Sequence, residues 1–223
     1  MTKKRFSLRE RKSAKTKIAL MNEFVKRLEH TNLDNISIRE VCEAVDVSEG
    51  TFYNYFPAKP DVIYFHIAAF SAVSFWRLFH EIKPKSELEK IDGLLTAMAI
   101  EKLNPNQLYG LMSAIIGQRQ CALENENLKI TAAEKYYAFP ECEGIADVEP
   151  STLLFKKFFK ECLKKAIENK ELPVDTNVEE TVVHLKTILS GVALAVETKD
   201  FSKISEYRNK HLGLLWKALD RKY

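Results

Sequence analysis

Four times in this chain a Ser or Asn is followed three residues later by Glu, next to an apolar run: Ser7 to Glu10, Ser37 to Glu40, Ser86 to Glu89 and Asn177 to Glu180. This is the spacing of a helix start, where side-chain oxygens and carboxylates satisfy the unpaired amides of the first turn. The apolar residues that follow recur three or four apart, as in Ile18, Met21, Phe24, Val25 and Leu28, which is one face of a helix. Turn residues are scarce, with 7 Gly and 7 Pro in 223 residues, too few for the many turns of a β-sandwich or barrel. The expectation is an all-α chain of one or two domains.

The periodicity places a first helix from Ser7 to the His30-Thr31-Asn32 stretch, with Asn32 suited to a left-handed C-terminal cap. Short helices follow over about 38–45 and 49–56, separated by a tight turn at Asp46-Val47. A fourth, apolar nearly all round, runs over about 60–82, with Pro60 and Asp61 in its first turn. Further helices are expected over about 86–101 and 105–124, then a broken region around Phe139-Pro140-Glu141. Three long helices over about 151–170, 177–197 and 202–221 close the chain.

Charge is distributed unevenly. Residues 1–60 hold twelve Lys/Arg against eight Asp/Glu, a balance of +4, while the remainder carries −1. The basic side chains Lys3, Lys4, Arg5, Arg9, Arg11 and Lys12 crowd the N-terminus. A basic arm on a near-neutral body suits a polyanion, either nucleic acid or an anionic membrane surface. Within residues 37–59, a short helix, a tight turn and a second short helix follow one another. In a helix-turn-helix the second helix enters the DNA major groove. Here the second helix is polar at Ser48, Glu49, Thr51, Tyr53, Asn54 and Tyr55, with Phe52 and Phe56 placed four apart to anchor it. The competing reading puts Tyr53 and Tyr55 in the core and Arg39 on a solvated face.

The stretch Val47-Ser48-Glu49-Gly50-Thr51-Phe52-Tyr53-Asn54-Tyr55-Phe56-Pro57-Ala58-Lys59 resembles the DNA-binding signature of the TetR (tetracycline-repressor-like) family. The resemblance covers residues 7 to about 66; beyond that only length and helical layout agree. Two positions depart from the family pattern. Val45-Asp46 stands where Ala-Gly is usual, and Asp46 can enter the left-handed conformation at some cost. Cys42 stands where Ala is frequent and is a small apolar substitute.

The resemblance implies a helix-turn-helix DNA-binding domain over 1–59 and a helical effector-binding and dimerisation domain over 60–223. Thr51, Tyr53, Tyr55 and Lys59 would contact phosphates, and Ser37 and Ser48 would cap helices beside them. Arg39, Glu49, Gly50 and Asn54 would lie nearest the base edges, where Asn pairs with adenine and Glu accepts from cytosine. The implied partners are double-stranded operator DNA, a second copy of the chain through the last two long helices, and a small-molecule effector. The small residues Ser190, Gly191, Ala193 and Ala195 would let the dimer helices approach closely, unless that helix is internal core. Apolar richness suggests a hydrophobic or aromatic effector, with Trp76, Phe79, Tyr109, Met112, Phe155 and Phe159 as candidate lining or simple core.

The implied activity is a repressor that binds a palindromic operator and is released by its effector; an activator of the same fold and a helical membrane-surface adaptor are the alternatives. No enzyme is expected, since no nucleophile elbow, His-Glu metal motif, P-loop or dinucleotide fingerprint occurs. Cys42, Cys121, Cys142 and Cys162 form no C-x-x-C pair, and the five histidines are scattered, so neither metal nor cofactor is expected. With no secretory signal and no apolar run of roughly 18 residues, the expected location is cytoplasmic.

Overall fold

A computed structural model describes residues 6–98, 110–111, 113–114, 130–149, 152–195 and 201–220, and every regular element among them is helical. Helix α1 (Leu8–Arg27) starts at a complete capping box. The Glu10 amide donates to Ser7 Oγ at 3.2 Å, and the Ser7 amide donates to the Glu10 carboxylate at 2.7 Å. Its buried face is Ala14, Ile18, Leu20, Met21, Phe24 and Val25. The helix ends earlier than expected, and Asn32 takes an extended conformation (φ −82°) rather than the left-handed one. Its side-chain oxygen instead accepts from the Asn35 amide and opens a 3-10 turn, Leu33–Asn35. Asn serves as an N-cap as readily as a C-cap, and here the next turn claims it.

Helix α2 (Ile38–Val45) begins at Ser37, whose hydroxyl accepts from the Glu40 amide. The reciprocal half of the expected box is missing. The Glu40 carboxylate turns to Arg27 at 2.7 Å and ties α2 to the end of α1. Asp46 closes the helix in the left-handed region at φ 58°, ψ 48°, so the turn forms without glycine. Helix α3 (Glu49–Tyr55) follows at once, capped by Ser48.

Helix α4 (Lys59–Arg77) opens with Asp61 accepting from the Ala58 amide at 2.7 Å. At Leu78–Ile82 the helix widens into a π-turn that ends in left-handed Lys83. Contrary to the sequence reading, the stretch Lys59–Ile82 is long and apolar enough to cross a membrane, yet 72% of its most apolar window is buried inside the protein. Those apolar side chains are used on other helices.

Helices α5 (Glu87–Ala97), α6 (Ala132–Ala138), α7 (Thr152–Glu168), α8 (Val178–Ala195) and α9 (Phe201–Asp220) build the rest. Ser86 caps α5 through the Glu89 amide. Glu89 itself reaches Lys85 rather than completing the box, and Glu171 accepts from the Glu87 and Leu88 amides at 3.1 and 3.0 Å. At the other end of the chain, Trp216 on α9 donates to Asp92 on α5 at 2.9 Å. Asn177 caps α8 through the Glu180 amide.

Two main apolar clusters result. The first joins Phe24, Val41, Phe52 and Phe56 to Val62, Ile63 and Phe65 of α4 and to Leu111, Ala114 and Ile130. The second joins Phe75 and Leu78 to Leu94, Phe155, Phe159, Leu163, Leu185 and Leu212. The first cluster runs across position 59 without a break, so α4 belongs to both. The stripe Val182, Leu185 and Val192 of α8 lies in the interior. That favours the core reading for these residues and leaves a different face of α8 outside.

Candidate nucleic-acid interface

A seven-residue helix has little stability of its own. Helix α3 is held by two aromatic anchors, Phe52 and Phe56, both essentially fully buried. Phe52 stacks on Phe24 of α1 with centroids 6.3 Å apart, and Phe56 meets Phe65 of α4 at 5.7 Å. Burial of these two rings turns the remaining side chains of α3 outward. Ser48, Glu49, Gly50, Tyr53 and Asn54 are exposed, and Thr51 and Tyr55 are half-buried. Tyr53 is 49% exposed and packs only edge-on against Phe52, so it is a surface side chain. Tyr55 packs partly against the first core cluster, as the competing reading held.

The caps are local. Ser48 Oγ accepts from the Thr51 amide at 3.2 Å and lies 3.0 Å from the Thr51 hydroxyl, which fixes both side chains. Gly50 has no internal reason to lack a side chain, because a Cβ there would meet only Ser48 Oγ, at 3.8 Å. Beneath α3, burial first and then the Glu49 charge raise the Cys42 thiol, which keeps it protonated and inert.

Two expected contact residues are engaged within the chain. Arg39 is exposed but pairs with Glu43 one turn on at 2.8 Å, a bond that raises its pKa further. Lys59 donates to the Asp34 carbonyl at 2.6 Å, which leaves two of its three ammonium protons for other acceptors. Of the N-terminal arm, Lys3, Lys4 and Arg5 lie outside the described residues. Arg9, Arg11 and Lys12 are exposed on α1. Leu8, Arg9, Lys12, Ser13 and Thr16 of α1 and Asn54 and Tyr55 of α3 line one open groove. Sequence reading did not single out Ser13 and Thr16. Their signal was present in the polar spacing 9, 12, 13 and 16, which marks a second face of α1 opposite its core face.

Of the residues suggested for an effector pocket, those described fall in different places. Phe155 and Phe159 are buried in the second cluster, and Phe155 stacks on Phe75 with centroids 5.6 Å apart. Phe79 is 52% exposed. Trp76 donates to the Glu143 carbonyl at 2.7 Å and stacks on His80. Tyr109 and Met112 lie outside the described residues. Among the described residues no group of three His, Cys, Asp or Glu is placed to hold a metal ion.

No protein-family model matches the chain, and no curated protein does. Solved structures do. A TetR-family transcriptional regulator from Cytophaga hutchinsonii superposes with a TM-score of 0.61 at 19% identity, covering 99% of this chain and 100% of that one. The ketosteroid transcriptional regulator KstR2 of Mycobacterium tuberculosis gives 0.57 at 14% identity, covering 92% and 95%. The transcriptional regulator FadR from Bacillus subtilis, solved in complex with stearoyl-CoA, gives 0.55 at 16% identity, covering 92% and 99%. The all-helical fold of this chain is therefore the fold of TetR-family regulators.

Proposed function

We propose that this chain is a ligand-responsive transcriptional regulator that binds a palindromic operator as a homodimer in the cytoplasm. It acts as a repressor that its effector releases, rather than as an enzyme. The observation that carries the reading is α3. Two buried Phe anchors lock it down while Glu49, Gly50, Tyr53 and Asn54 face out, beside the basic Arg9 and Lys12 of α1. Thr51, Tyr53, Tyr55 and Lys59 hold phosphates, with Ser37 and Ser48 fixing the helix starts. Asn54, Glu49 and Arg39 meet base edges, and Arg39 must exchange Glu43 for DNA to do so. Selection from a random DNA pool should return sequences with two inverted half-sites. Their centres should be about 34–36 Å apart or a multiple of it. Recovery of no enriched sequence, with retention on anionic liposomes, would favour the membrane-surface reading instead.

One short helix reads few base pairs, so a two-fold dimer is needed to double the contacts. The outward faces of α8 and α9 suit that role. Val183, Tyr207 and Leu214 are 60%, 46% and 62% exposed, large apolar surfaces with no cover in the monomer. Gly213 faces open space and Gly191 nearly so, which lets another helix approach closely. Leu214→Glu is expected to give a monomer in light scattering and to weaken operator binding sharply. A dimer that persists in both Leu214→Glu and Val183→Glu would remove this interface.

A further inference from the structure

The cations of α1 divide into two sets. Lys17 pairs with Glu134 at 2.9 Å, Lys15 lies 5.2 Å from the Tyr137 ring centroid, and Arg27 pairs with Glu23 and Glu40 at 3.2 and 2.7 Å. Lys26 stands 4.0 Å from Glu23. Arg9, Arg11 and Lys12 are exposed and meet no acidic or aromatic partner among the described residues. Two of them, Arg9 and Lys12, line the groove between α1 and α3. Its other lining is Leu8, Ser13, Thr16, Asn54 and Tyr55, with no acidic side chain.

The hydroxyls of this groove are also free to donate. A helical Ser or Thr can settle on the carbonyl one turn back. Ser74, Thr96, Thr181 and Thr187 do so, at 2.8, 2.8, 2.7 and 3.0 Å. Ser13 and Thr16, both half-buried, make no such bond among the described residues. Positions 9, 12, 13 and 16 share one face of α1, so two cations and two hydroxyls point the same way. Opposite them, the Tyr55 ring packs against the first core cluster and Asn54 is exposed. Leu8, 59% exposed, adds an apolar edge.

We infer that this groove holds the sugar-phosphate backbone of one DNA strand at the edge of the half-site, so that α1 binds DNA alongside α3. Arg9 and Lys12 neutralise phosphates, Ser13 and Thr16 donate to phosphate oxygens, and Leu8 lies against deoxyribose. At about 730 Å³ and open to solvent, the groove is far larger than a single anion, and its apolar edge suits a sugar. One wall belongs to α3, so a duplex seated on the exposed side chains of α3 brings a strand to it. The inference rests on the DNA-binding reading and assigns the α1 side of that interface.

The test uses the full-length protein and two duplexes: the sequence that wild type enriches from a random pool, and a scrambled duplex of equal length. Affinities are measured at several KCl concentrations. Each phosphate contact steepens the log–log salt dependence by about 0.9, so losing one contact in both copies of a dimer should flatten it by about two. Lys12→Gln and Arg9→Gln should each do this on both duplexes. Lys26→Gln removes an equal charge from α1 about four turns beyond Lys12, and should leave the slope in place. Thr16→Val keeps the side-chain shape without the donor. It should weaken both duplexes by the same factor, about tenfold or more, at an unchanged slope.

Unaltered slopes in both Lys12→Gln and Arg9→Gln, or an equal flattening in Lys26→Gln, would overturn the inference while leaving specific DNA binding by wild type intact. Weakening of the enriched duplex alone by Thr16→Val would do the same, because a phosphate contact is blind to sequence. A wild type that binds neither duplex would remove the inference together with the regulator reading.

Discussion

Gly50 and Asp46 stand at opposite ends of what one residue can decide. Gly50 sits in the first turn of α3 with room for a methyl group, whose carbon would meet only Ser48 Oγ at an ordinary 3.8 Å. Alanine favours a helix over glycine by up to about 1 kcal/mol. Gly50→Ala should therefore leave the melting temperature equal or higher while weakening operator binding, checked by thermal melting beside a gel shift. A lower melting temperature with unchanged DNA affinity would reverse the assignment. Asp46 holds a left-handed conformation that costs a non-glycine residue about 1–2 kcal/mol. Asp46→Gly should recover part of that and raise the urea midpoint, whereas Asp46→Val should lower it.

At the scale of elements, helix ends and helix interiors carry the pH response. Burial alone would raise the Glu171 carboxyl, but the amides of Leu88 and Glu87, with Asn169 and Ser86, hold it below the usual carboxylate range. A group depressed in the folded state stabilises above its unfolded pKa, and that contribution fades as pH falls through the folded value. The Glu171 share should thus be lost on acidification below about 4.5. Glu171→Gln should flatten the stability profile there. His66 on α4 titrates in a higher window, since burial pushes its imidazole down to about 4 from 6.5. Between those values the unfolded chain binds the extra proton, so stability should rise with pH from about 4 to 6.5. Melting temperatures of His66→Phe across that window should lose this rise. Helix α3 has no such chemistry and depends on packing. Phe52→Ala should cost about 3–5 kcal/mol, read from denaturant unfolding.

For the whole molecule, a partly buried charged contact joins the first helix to α6. Lys17, midway along α1, pairs with Glu134 of α6 at 2.9 Å and lies over the Phe65 ring at 4.0 Å. Both charged side chains are largely buried. Phe6 and Lys15 add contacts to Tyr137 of α6. Near the other end of α1, a Cβ on Gly110 would come within 2.4 Å of the Leu28 carbonyl oxygen, so the chain there accepts only glycine. Helix α1 is therefore tied directly to α6 as well as to α4. Breaking one partner of a buried pair costs about 3–5 kcal/mol, while replacing both with apolar residues costs far less. Glu134→Gln should lower the melting temperature markedly, and Lys17→Met with Glu134→Leu should restore much of it. If the regulator reading holds, that double variant should also respond less to effector, because the charged clamp between α1 and α6 is gone.

Local chemistry was legible before any coordinates. The caps at Ser7, Ser37, Ser48, Ser86 and Asn177 act where the spacing placed them, because a cap involves atoms only three residues apart. The outward set on α3 followed from Phe52 and Phe56 alone, since two buried rings four apart fix a helix face. What the carboxylates of Glu40 and Glu89 do was not legible. Each had a competing partner, in Arg27 across the fold and at the Lys85 amide, and a carboxylate takes the better geometry. The aromatic wall was not legible either, because a helix apolar all round does not declare which neighbour takes which face. Nor could composition reveal Arg208, one of 34 basic residues. Only the tertiary structure encloses its Nε and leaves that atom without a hydrogen bond, because α9 packs on the second apolar cluster there.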